Sequence, residues 1–325
     1  MKTLKKILLW GGISLLAIVV ILIATVQLTW KKKFDAPYPD IKASTDSAVI
    51  ARGEYIVYGP GHCAECHISQ DDYEKVVKGE RVPLAGGFTF KLPFGNCYTK
   101  NITPDKVNGI GKYSDGEIAR VLRYGVKPDG TALIDFMPFY NASDDDLTAI
   151  ISYIRTLPSS DRKVPANEWN FMGKAMLAFL IKPVGPNGTP PKTVKPDTTA
   201  EYGKYLANSI SNCRGCHTNR DLKTGAFVGP EYGGGFKMES ATMEAGVFCV
   251  TPNITTDKDF GRLANWSQQQ FIDRFRAGKL IAESPMPWGP FKNFSDNDLK
   301  AIYAFLTTME PVHNDPGPVI VKEGK

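Results

Sequence analysis

Hydrophobic residues in this 325-residue chain form one long unbroken run near the N-terminus, followed by shorter stretches with helical spacing. The run covers residues 7–28, contains no charged side chain and has Trp10 and Trp30 near its two ends. About 20 apolar residues in a helix span the hydrocarbon core of a bilayer, and indole rings favour the headgroup region. We therefore predict a transmembrane anchor over residues 1–33. A cleaved signal peptide is the alternative, but its apolar core usually has only about 7–15 residues.

The shorter stretches occur twice in the same order. Each copy contains a capping box that opens a helix, Ser114-x-x-Glu117 in the first and Ser267-x-x-Gln270 in the second. A last helix follows in each copy, begun by Ser143 or Ser295, with apolar residues at helical spacing. We predict an all-α fold of two tandem domains after an N-terminal transmembrane helix. The predicted segments are the anchor (1–33), a first domain (45–158), a linker (159–197), a second domain (198–311) and a C-terminal tail (312–325).

The linker is rich in proline but contains one apolar stretch at residues 171–181. This stretch is too short to span a bilayer. We expect it to form a short helix that packs across the domains, and a surface for a membrane partner is the alternative. The tail contains Pro316, Gly317 and Pro318 and is expected to be extended.

Charge excludes one class of partner. The formal net charge is +5, but six of the lysines flank the apolar run, three on each side. The rest of the chain is almost neutral, so it has no basic surface of the kind that binds nucleic acid. Because the flanking lysines are balanced, the positive-inside rule gives the anchor no orientation.

Four of the six cysteines lie in two identical patterns, Cys63-Ala-Glu-Cys66-His67 and Cys213-Arg-Gly-Cys216-His217. C-x-x-C-H is the attachment signature of c-type haem. Two thiols on one helical turn form thioethers to the vinyl groups of one porphyrin, and the adjacent imidazole is the proximal iron ligand. A zinc site would need both pairs in one closed site, whereas they lie 150 residues apart, and a redox dithiol needs no adjacent histidine. The sequence therefore predicts two covalently bound haem c groups.

The repeat also selects the residue on the opposite side of each iron. Among the eight methionines, Met137 and Met286 are equivalent, each followed by a proline and an aromatic residue. They lie 70 and 69 residues after His67 and His217, in the loop between the second and third helices of each copy. We predict His67 and Met137 as the axial ligands of one iron and His217 and Met286 as those of the other. Methionines without an equivalent are expected to fill the core.

Haem attachment of this kind takes place outside the cytoplasm, and this orients the anchor. We expect a single pass through the cytoplasmic (inner) membrane, with the N-terminus inside and both haem domains in the periplasm.

Several motifs resemble those of a known family, the multihaem cytochrome c subunits of membrane-bound alcohol and gluconate dehydrogenases. The resemblance covers roughly residues 48–158 and 198–311 and is carried in the first copy by Gly53-Glu54-Tyr55, Asn101-Ile-Thr-Pro-Asp105, Gly109-Ile-Gly111-Lys-Tyr113-Ser-Asp115 and Met137-Pro138. It implies class I cytochrome c folds with His/Met ligation. It also implies electron transfer from a dehydrogenase toward quinone or a terminal oxidase. Those subunits resemble three-haem chains, whereas this chain has two motifs and an N-terminal anchor.

The remaining cysteines, Cys97 and Cys249, are equivalent as well, each four residues before an Asn-Ile-Thr sequence. One interpretation is two small buried residues. The other is a disulfide between the domains, because an even remainder in an oxidising compartment favours pairing. Two-domain cytochromes resemble a pseudo-twofold dimer, in which equivalent residues near the axis can meet.

Asn101-Ile-Thr103 and Asn253-Ile-Thr255 match the glycosylation pattern. We interpret both instead as part of a loop at the haem edge that is repeated with the fold.

Two functions are compatible with two haems. Electron transfer follows if each iron has both axial positions filled, and its redox partners would be a dehydrogenase, a quinol-oxidising complex or a terminal oxidase. A dihaem peroxidase-like enzyme would need one open haem site and dissimilar halves, which the matched methionine loops disfavour. A haem-based gas sensor would need a signalling domain, and the sequence has none that we recognise. We predict an electron carrier rather than an enzyme.

Overall fold

The computed structural model describes residues 2–137, 139–221 and 225–323, and within them the chain is mostly helical. The α-helices are α1 (Lys2–Thr29), α2 (Ser47–Tyr58), α3 (Cys63–Cys66), α4 (Tyr73–Val77), α5 (Asp115–Tyr124), α6 (Asp144–Thr156), α7 (Phe171–Phe179), α8 (Ala200–Tyr205), α9 (Cys213–His217), α10 (Gln268–Arg276), α11 (Trp288–Phe291) and α12 (Asp296–Thr308). Single turns of 3-10 helix lie at Gln70–Asp72 and Phe139–Asn141, and a π turn at Leu206–Ile210 continues α8. The helices from α2 to α6 and from α8 to α12 follow the two copies of the sequence repeat.

Local sequence signals determine where these helices begin and end. Both capping boxes are formed: the side chain of Ser114 or Ser267 accepts the N–H of the third helical residue, whose own side chain returns to the serine backbone. Ser143 and Ser295 cap α6 and α12 in the same way as each other. Gly125 ends α5 at φ 60°, a left-handed conformation that favours glycine. The predicted positions of these caps are therefore confirmed.

The first and last helices of each repeat cross at very close range. Gly53 in α2 faces α6, and a Cβ atom at this position would lie 1.9 Å from the carbonyl oxygen of Ala149. Gly203 in α8 faces α12, and its Cβ would lie 1.9 Å from the carbonyl oxygen of Ala301. Because any side chain would force the helices apart, both crossings require glycine.

The all-α prediction is wrong in one respect, because each repeat also contains a small antiparallel sheet. In the first sheet β1 (Thr89–Leu92) pairs with β2 (Gly95–Tyr98), and β2 pairs with β3 (Glu168–Trp169). In the second, β4 (Lys237–Glu239) pairs with β5 (Val247–Val250), and β5 pairs with β6 (Ile320–Lys322). The third strand of each sheet comes from the linker or from the tail. Each of these segments thus returns to the repeat that it follows and pairs with the free edge of its hairpin.

A buried asparagine fixes each returning segment. The side-chain amide of Asn101 donates to the carbonyl oxygens of residues 160 and 162, at 2.8 and 3.2 Å. Asn253 donates in the same way to residues 312 and 314, at 2.7 and 3.2 Å. The two asparagines are 2% and 0% exposed, so neither amide is accessible to a glycosylating enzyme. This burial supports the interpretation of both Asn-Ile-Thr sequences as structural.

The two repeats share one continuous hydrophobic core and contact each other through two equivalent hydrogen bonds. Tyr55 Oη donates to Asp298 Oδ2 at 2.5 Å, and Tyr205 Oη donates to Asp146 Oδ2 at 2.6 Å. Each bond joins the first helix of one repeat to the last helix of the other. The repeats are therefore related by a pseudo-twofold arrangement in this contact.

Within the described residues, α1 is the one helix that is long and apolar enough to cross a membrane, which fits a single-pass anchor or a signal sequence. The segment after it is attached to the first repeat. Arg120, which is 5% exposed, donates to the carbonyl oxygens of Phe34 and Ala36 at 3.3 and 3.0 Å. The backbone of Phe34 also donates to Gly130 at 2.8 Å. The position of α1 is thus tied to the first repeat by hydrogen bonds.

Candidate haem sites

Each C-x-x-C-H sequence forms a short helical turn, α3 in the first repeat and α9 in the second. The residue before the first cysteine is left-handed in both, His62 at φ 41° and Asn212 at φ 54°. This conformation is uncommon outside glycine and reverses the chain just before the turn. The His62 ring packs edge-on against Phe291, 5.5 Å between centroids.

Both predicted proximal histidines are oriented in the same way. His67 Nδ1 lies 2.8 Å from the carbonyl oxygen of Lys100, and His217 Nδ1 lies 3.0 Å from that of Pro252. A carbonyl only accepts, so Nδ1 carries the proton and Nε2 keeps its lone pair. Burial lowers the pKa of both imidazoles, which favours the neutral form that binds metals. In histidines that ligate a metal, the ring nitrogen that does not bind the metal typically donates a hydrogen bond of this kind.

The buried asparagines described above hold these two carbonyl groups. Lys100 and Pro252 directly precede Asn101 and Asn253 in the chain. Each asparagine is fixed by the returning segment, so the preceding carbonyl has a fixed position too. The Asn-Ile-Thr sequence therefore acts indirectly on the histidine, a role that the sequence did not reveal.

The four motif cysteines are half-buried free thiols with raised pKa values. Burial raises the pKa of Cys63 and of Cys213 to about 12 and also raises the pKa of Cys66 and Cys216. Redox-active C-x-x-C pairs have lowered thiol pKa values instead. In the described part of the chain, neither pair belongs to a group of residues close enough to bind zinc. The surroundings thus disfavour both alternatives to haem attachment.

Orphaned polar atoms near the two motifs fit a charged cofactor. Among the described residues, the buried side-chain atoms without a hydrogen-bond partner are Glu65 Oε2, Ser211 Oγ, Arg214 Nε and Arg220 Nε. All four residues lie within or beside a C-x-x-C-H sequence. A buried polar group without a partner is costly, and haem carries two propionates that arginines can pair with. Arg214 and Arg220 therefore fit a haem at the second motif, whereas the orphaned atom at the first motif, Glu65 Oε2, belongs to a carboxyl group and carries no such argument.

Met137 and Met286, the predicted distal ligands, are half-buried and pack against the core. Each is followed after its proline by a buried aromatic residue, Phe139 at 3% and Trp288 at 8% exposure. Pro138 itself lies outside the described residues. In contrast, the unmatched Met172 is mostly exposed. The structure thus places the matched pair similarly in the two repeats, and their ligation of iron stays a prediction.

The distal loop of one repeat approaches the haem motif of the other. Gly289 in α11 lies against α4, where a Cβ would be 1.8 Å from the carbonyl oxygen of Val76. Asn293 donates to the carbonyl oxygen of Tyr58 at 2.8 Å, close to the start of the first motif. Sequence reasoning did not anticipate this proximity, because it depends on contacts more than 200 residues apart along the chain.

The structure does not form the Cys97–Cys249 bridge, and both residues are free thiols. Cys97 lies in β2 opposite Phe90, and Cys249 lies in β5 opposite Met238. The strands belong to separate sheets, whereas the hydrogen-bonded contact between the repeats described above is made by helices. Asn167 donates to the Cys97 sulfur at 3.4 Å.

Comparison with known proteins gives the family relationship, although no family model matches the chain. The cytochrome c subunit of alcohol dehydrogenase (quinone) from Gluconobacter oxydans (strain 621H) is 28% identical over 289 residues, 82% of this chain and 56% of that protein. The gluconate 2-dehydrogenase cytochrome c subunit of Pantoea cypripedii is 31% identical over 283 residues, 81% and 60% of the two chains. A dihaem cytochrome c-type protein of Cereibacter sphaeroides is 27% identical over 306 residues, 88% and 94%. The chain is a homologue of these cytochromes c.

This homology confirms the predicted resemblance to dehydrogenase cytochrome subunits and implies haem c as the cofactor. The matched region spans little more than half of the dehydrogenase subunits but nearly all of the dihaem cytochrome. The homologues are named as cytochrome c subunits of dehydrogenases and as a dihaem cytochrome c, which supports an electron-transfer cytochrome and does not favour the peroxidase-like alternative.

Proposed function

We propose that the chain is a membrane-anchored dihaem cytochrome c that transfers electrons in a respiratory chain, as the cytochrome subunit of a dehydrogenase complex. The observation that carries the proposal is the matched orientation of His67 and His217, each held through Nδ1 by a backbone carbonyl. A redox carrier with two functional sites needs the same support twice, and both repeats provide it. The dehydrogenase partner is inferred from the names of the relatives.

The roles of the chain's own residues follow from their positions. Cys63, Cys66, Cys213 and Cys216 would attach the cofactor, and the imidazoles of His67 and His217 would hold its iron. Met137 and Met286 would hold the iron from the other side, and a His/Met pair would favour a high reduction potential. When bound, haem supplies a one-electron ferric–ferrous couple.

The contact between the repeats supports electron exchange between the two sites. The distal side of the second repeat packs beside the first motif through Phe291 and His62. The first repeat's turn at Phe139–Asn141 packs on the Leu206–Ile210 turn just before the second motif. Both contacts thus place the distal loop of one repeat beside the haem motif of the other.

The anchor would place both repeats in the periplasm. Haem attachment outside the cytoplasm requires α1 to cross the cytoplasmic membrane once, with its N-terminus inside. A carrier held in this way stays close to membrane-bound dehydrogenases, quinol-oxidising complexes and terminal oxidases.

Replacement of the matched methionines tests the ligand assignment. In Met137→Ala and in Met286→Ala, we expect the long-wavelength charge-transfer band of ferric His/Met haem to fall by one of two equivalents, and the affected potential to fall as well. The double variant should lose the band and bind carbon monoxide at both sites. Met309→Ala, which removes a core-packing methionine without an equivalent, is the matched control. A band that keeps two equivalents in either single variant would show that another residue ligates that iron.

A second experiment tests the proposed partner. Gentle extraction of the native membrane and purification through a C-terminal tag should recover a dehydrogenase subunit that reduces the haems when its substrate is added. Recovery of a terminal oxidase alone would place the cytochrome at the oxidase end of the respiratory chain and contradict the dehydrogenase partner.

A further inference from the structure

The short helix α7 exposes large apolar side chains although it is firmly attached to the first repeat. Phe171 and Phe179 are 47% and 49% exposed, and Met172 and Leu180 are 61% and 59% exposed. Phe171, Met172 and Phe179 lie on one side of the helix, because Phe171 and Met172 are eight and seven residues before Phe179 and residues at these spacings share a face. A cluster of exposed apolar groups of this kind indicates an interaction surface.

The opposite side of α7 faces the protein. Gly173 is buried, and a Cβ at this position would lie 2.3 Å from the carbonyl oxygen of Phe94. Asn170 caps the helix by accepting the N–H of Gly173 at 3.0 Å, and its own N–H donates to Phe94 at 3.2 Å. The helix directly follows β3, so its exposed face has a fixed direction.

α7 lies beside the outer end of α1. Lys174 Nζ donates to Gln27 Oε1 at 3.3 Å and lies 5.4 Å from the centroid of the Trp30 ring. Gln27 and Trp30 mark the end of the uncharged run of α1. A residue that contacts both of them therefore lies at the level where α1 would leave the hydrocarbon core.

Basic residues follow α1 and α7 closely in the sequence. Lys31, Lys32 and Lys33 follow α1 directly, and Lys182 follows α7. Their positive charges would meet lipid phosphates while the apolar side chains enter the acyl region. The exposed apolar side of α7, beside the end of α1, can therefore enter the membrane surface while the neighbouring lysines remain among the headgroups.

We propose that α7 is embedded in the surface of the lipid bilayer, beside the point where α1 emerges. The inference rests on the proposed function in one respect, that α1 spans the membrane. The bilayer is the occupant because the exposed face continues the apolar surface of α1. Two attachment points, both tied to the first repeat, would then fix the orientation of the haem domains above the membrane.

Spin labelling of the full-length holoprotein in nanodiscs of phosphatidylcholine and phosphatidylglycerol tests this. Met172→Cys and Phe179→Cys are each labelled with a nitroxide after Cys97 and Cys249 have been replaced by serine. Collisions with oxygen, which dissolves in lipid, are compared with collisions with a water-soluble nickel chelate. Val228→Cys, at a position of the second repeat that is 60% exposed, is the control for an apolar site in water, and Ile18→Cys in α1 is the control for lipid. An unchanged haem spectrum verifies folding.

We expect the labels at positions 172 and 179 to resemble that at position 18, with oxygen collisions dominant, and the label at 228 to collide mainly with nickel. Labels on α7 that match position 228 while position 18 reports lipid would overturn the inference and leave the anchor intact. Labels on α7 shielded from both reagents would show a protein cover and overturn it too. A nickel-accessible label at position 18 would refute the spanning anchor itself.

Discussion

The two tyrosine–aspartate bonds between the repeats have the same geometry but different surroundings. Besides donating to the aspartate, each hydroxyl accepts the backbone N–H of the serine that caps the facing helix, at 2.9 Å in both cases. Burial and the aspartate raise the pKa of Tyr55 and of Tyr205 well above the ordinary value, so both remain donors at neutral pH. Asp146 also accepts from Arg52 at 2.9 and 3.2 Å. For the Asp298 carboxylate, Tyr55 is the hydrogen-bond donor in the described part of the chain.

Replacement of each tyrosine by phenylalanine should therefore have unequal effects. Tyr205→Phe leaves Asp146 paired with Arg52, so we expect a loss of about 1–1.5 kcal/mol in the free energy of unfolding, close to one ordinary hydrogen bond. Tyr55→Phe leaves Asp298, which is 4% exposed, as a buried carboxylate without its donor. The loss should then be about 2–3 kcal/mol, since an unsatisfied charged group costs more than a missing bond.

Thermal unfolding of the holoprotein, followed by far-ultraviolet circular dichroism at one scan rate, measures the difference. At about 2–4 °C per kcal/mol, Tyr55→Phe should lower Tm by about 4–12 °C and Tyr205→Phe by about 2–6 °C. Tyr113→Phe, which removes a hydroxyl outside this contact, is the control. Equal shifts, or a larger shift for Tyr205→Phe, would refute the role assigned to Arg52.

Three further predictions concern the individual repeats. Gly203→Ala should lower the free energy of unfolding, measured by urea denaturation, by about 3 kcal/mol, because the new Cβ overlaps the facing helix. Gly11→Ala, with open space around it, should not lower it. An unchanged free energy of unfolding for Gly203→Ala would contradict the crossing geometry. Asn253→Asp removes the donors that hold residues 312–323 and should expose that segment to hydrogen exchange and proteases. Asn101→Asp should do the same for the start of the linker. Unchanged protection would show that strand pairing alone is enough to hold these segments in place. Burial raises the pKa of Tyr232 far above its unfolded value of about 10, so the contribution of this tyrosine to stability should be constant below about pH 9 and fall at higher pH, by about 1.4 kcal/mol per pH unit. Tyr232→Phe should reduce that slope by one proton, and the idea fails if the slope is the same.

Features that depend on a few adjacent residues could be predicted from the sequence. The capping boxes at Ser114 and Ser267 need only a serine and its partner three residues on, and both formed as expected. The haem motifs are of the same kind, since the two thiols and the histidine share one helical turn. Long helices with a periodic apolar face, such as α6 and α12, could also be predicted from the sequence.

Features that depend on distant pairing could not be predicted. β3 has two residues and β6 has three, too few to show an alternating pattern, and each is defined by a partner some 70 residues earlier. The role of Asn101 and Asn253 was hidden for a similar reason. Each asparagine is held by a segment about 60 residues later in the chain, and it in turn fixes the carbonyl group before it, which accepts from the histidine.

The contact between the repeats also shows how equivalent residues should be interpreted in a pseudo-twofold molecule. A twofold axis brings residue i of one half to residue j of the other, and j to i, so like meets like only on the axis itself. The equivalent residues Tyr55 and Tyr205 do not contact each other. Each contacts an aspartate of the other repeat instead, Tyr55 with Asp298 and Tyr205 with Asp146. The suggested pairing of Cys97 with Cys249 required the special case of an on-axis position, and their strands lie in separate sheets. Repeats of this kind should therefore be searched for complementary pairs, a donor in one position and an acceptor in another, each present twice.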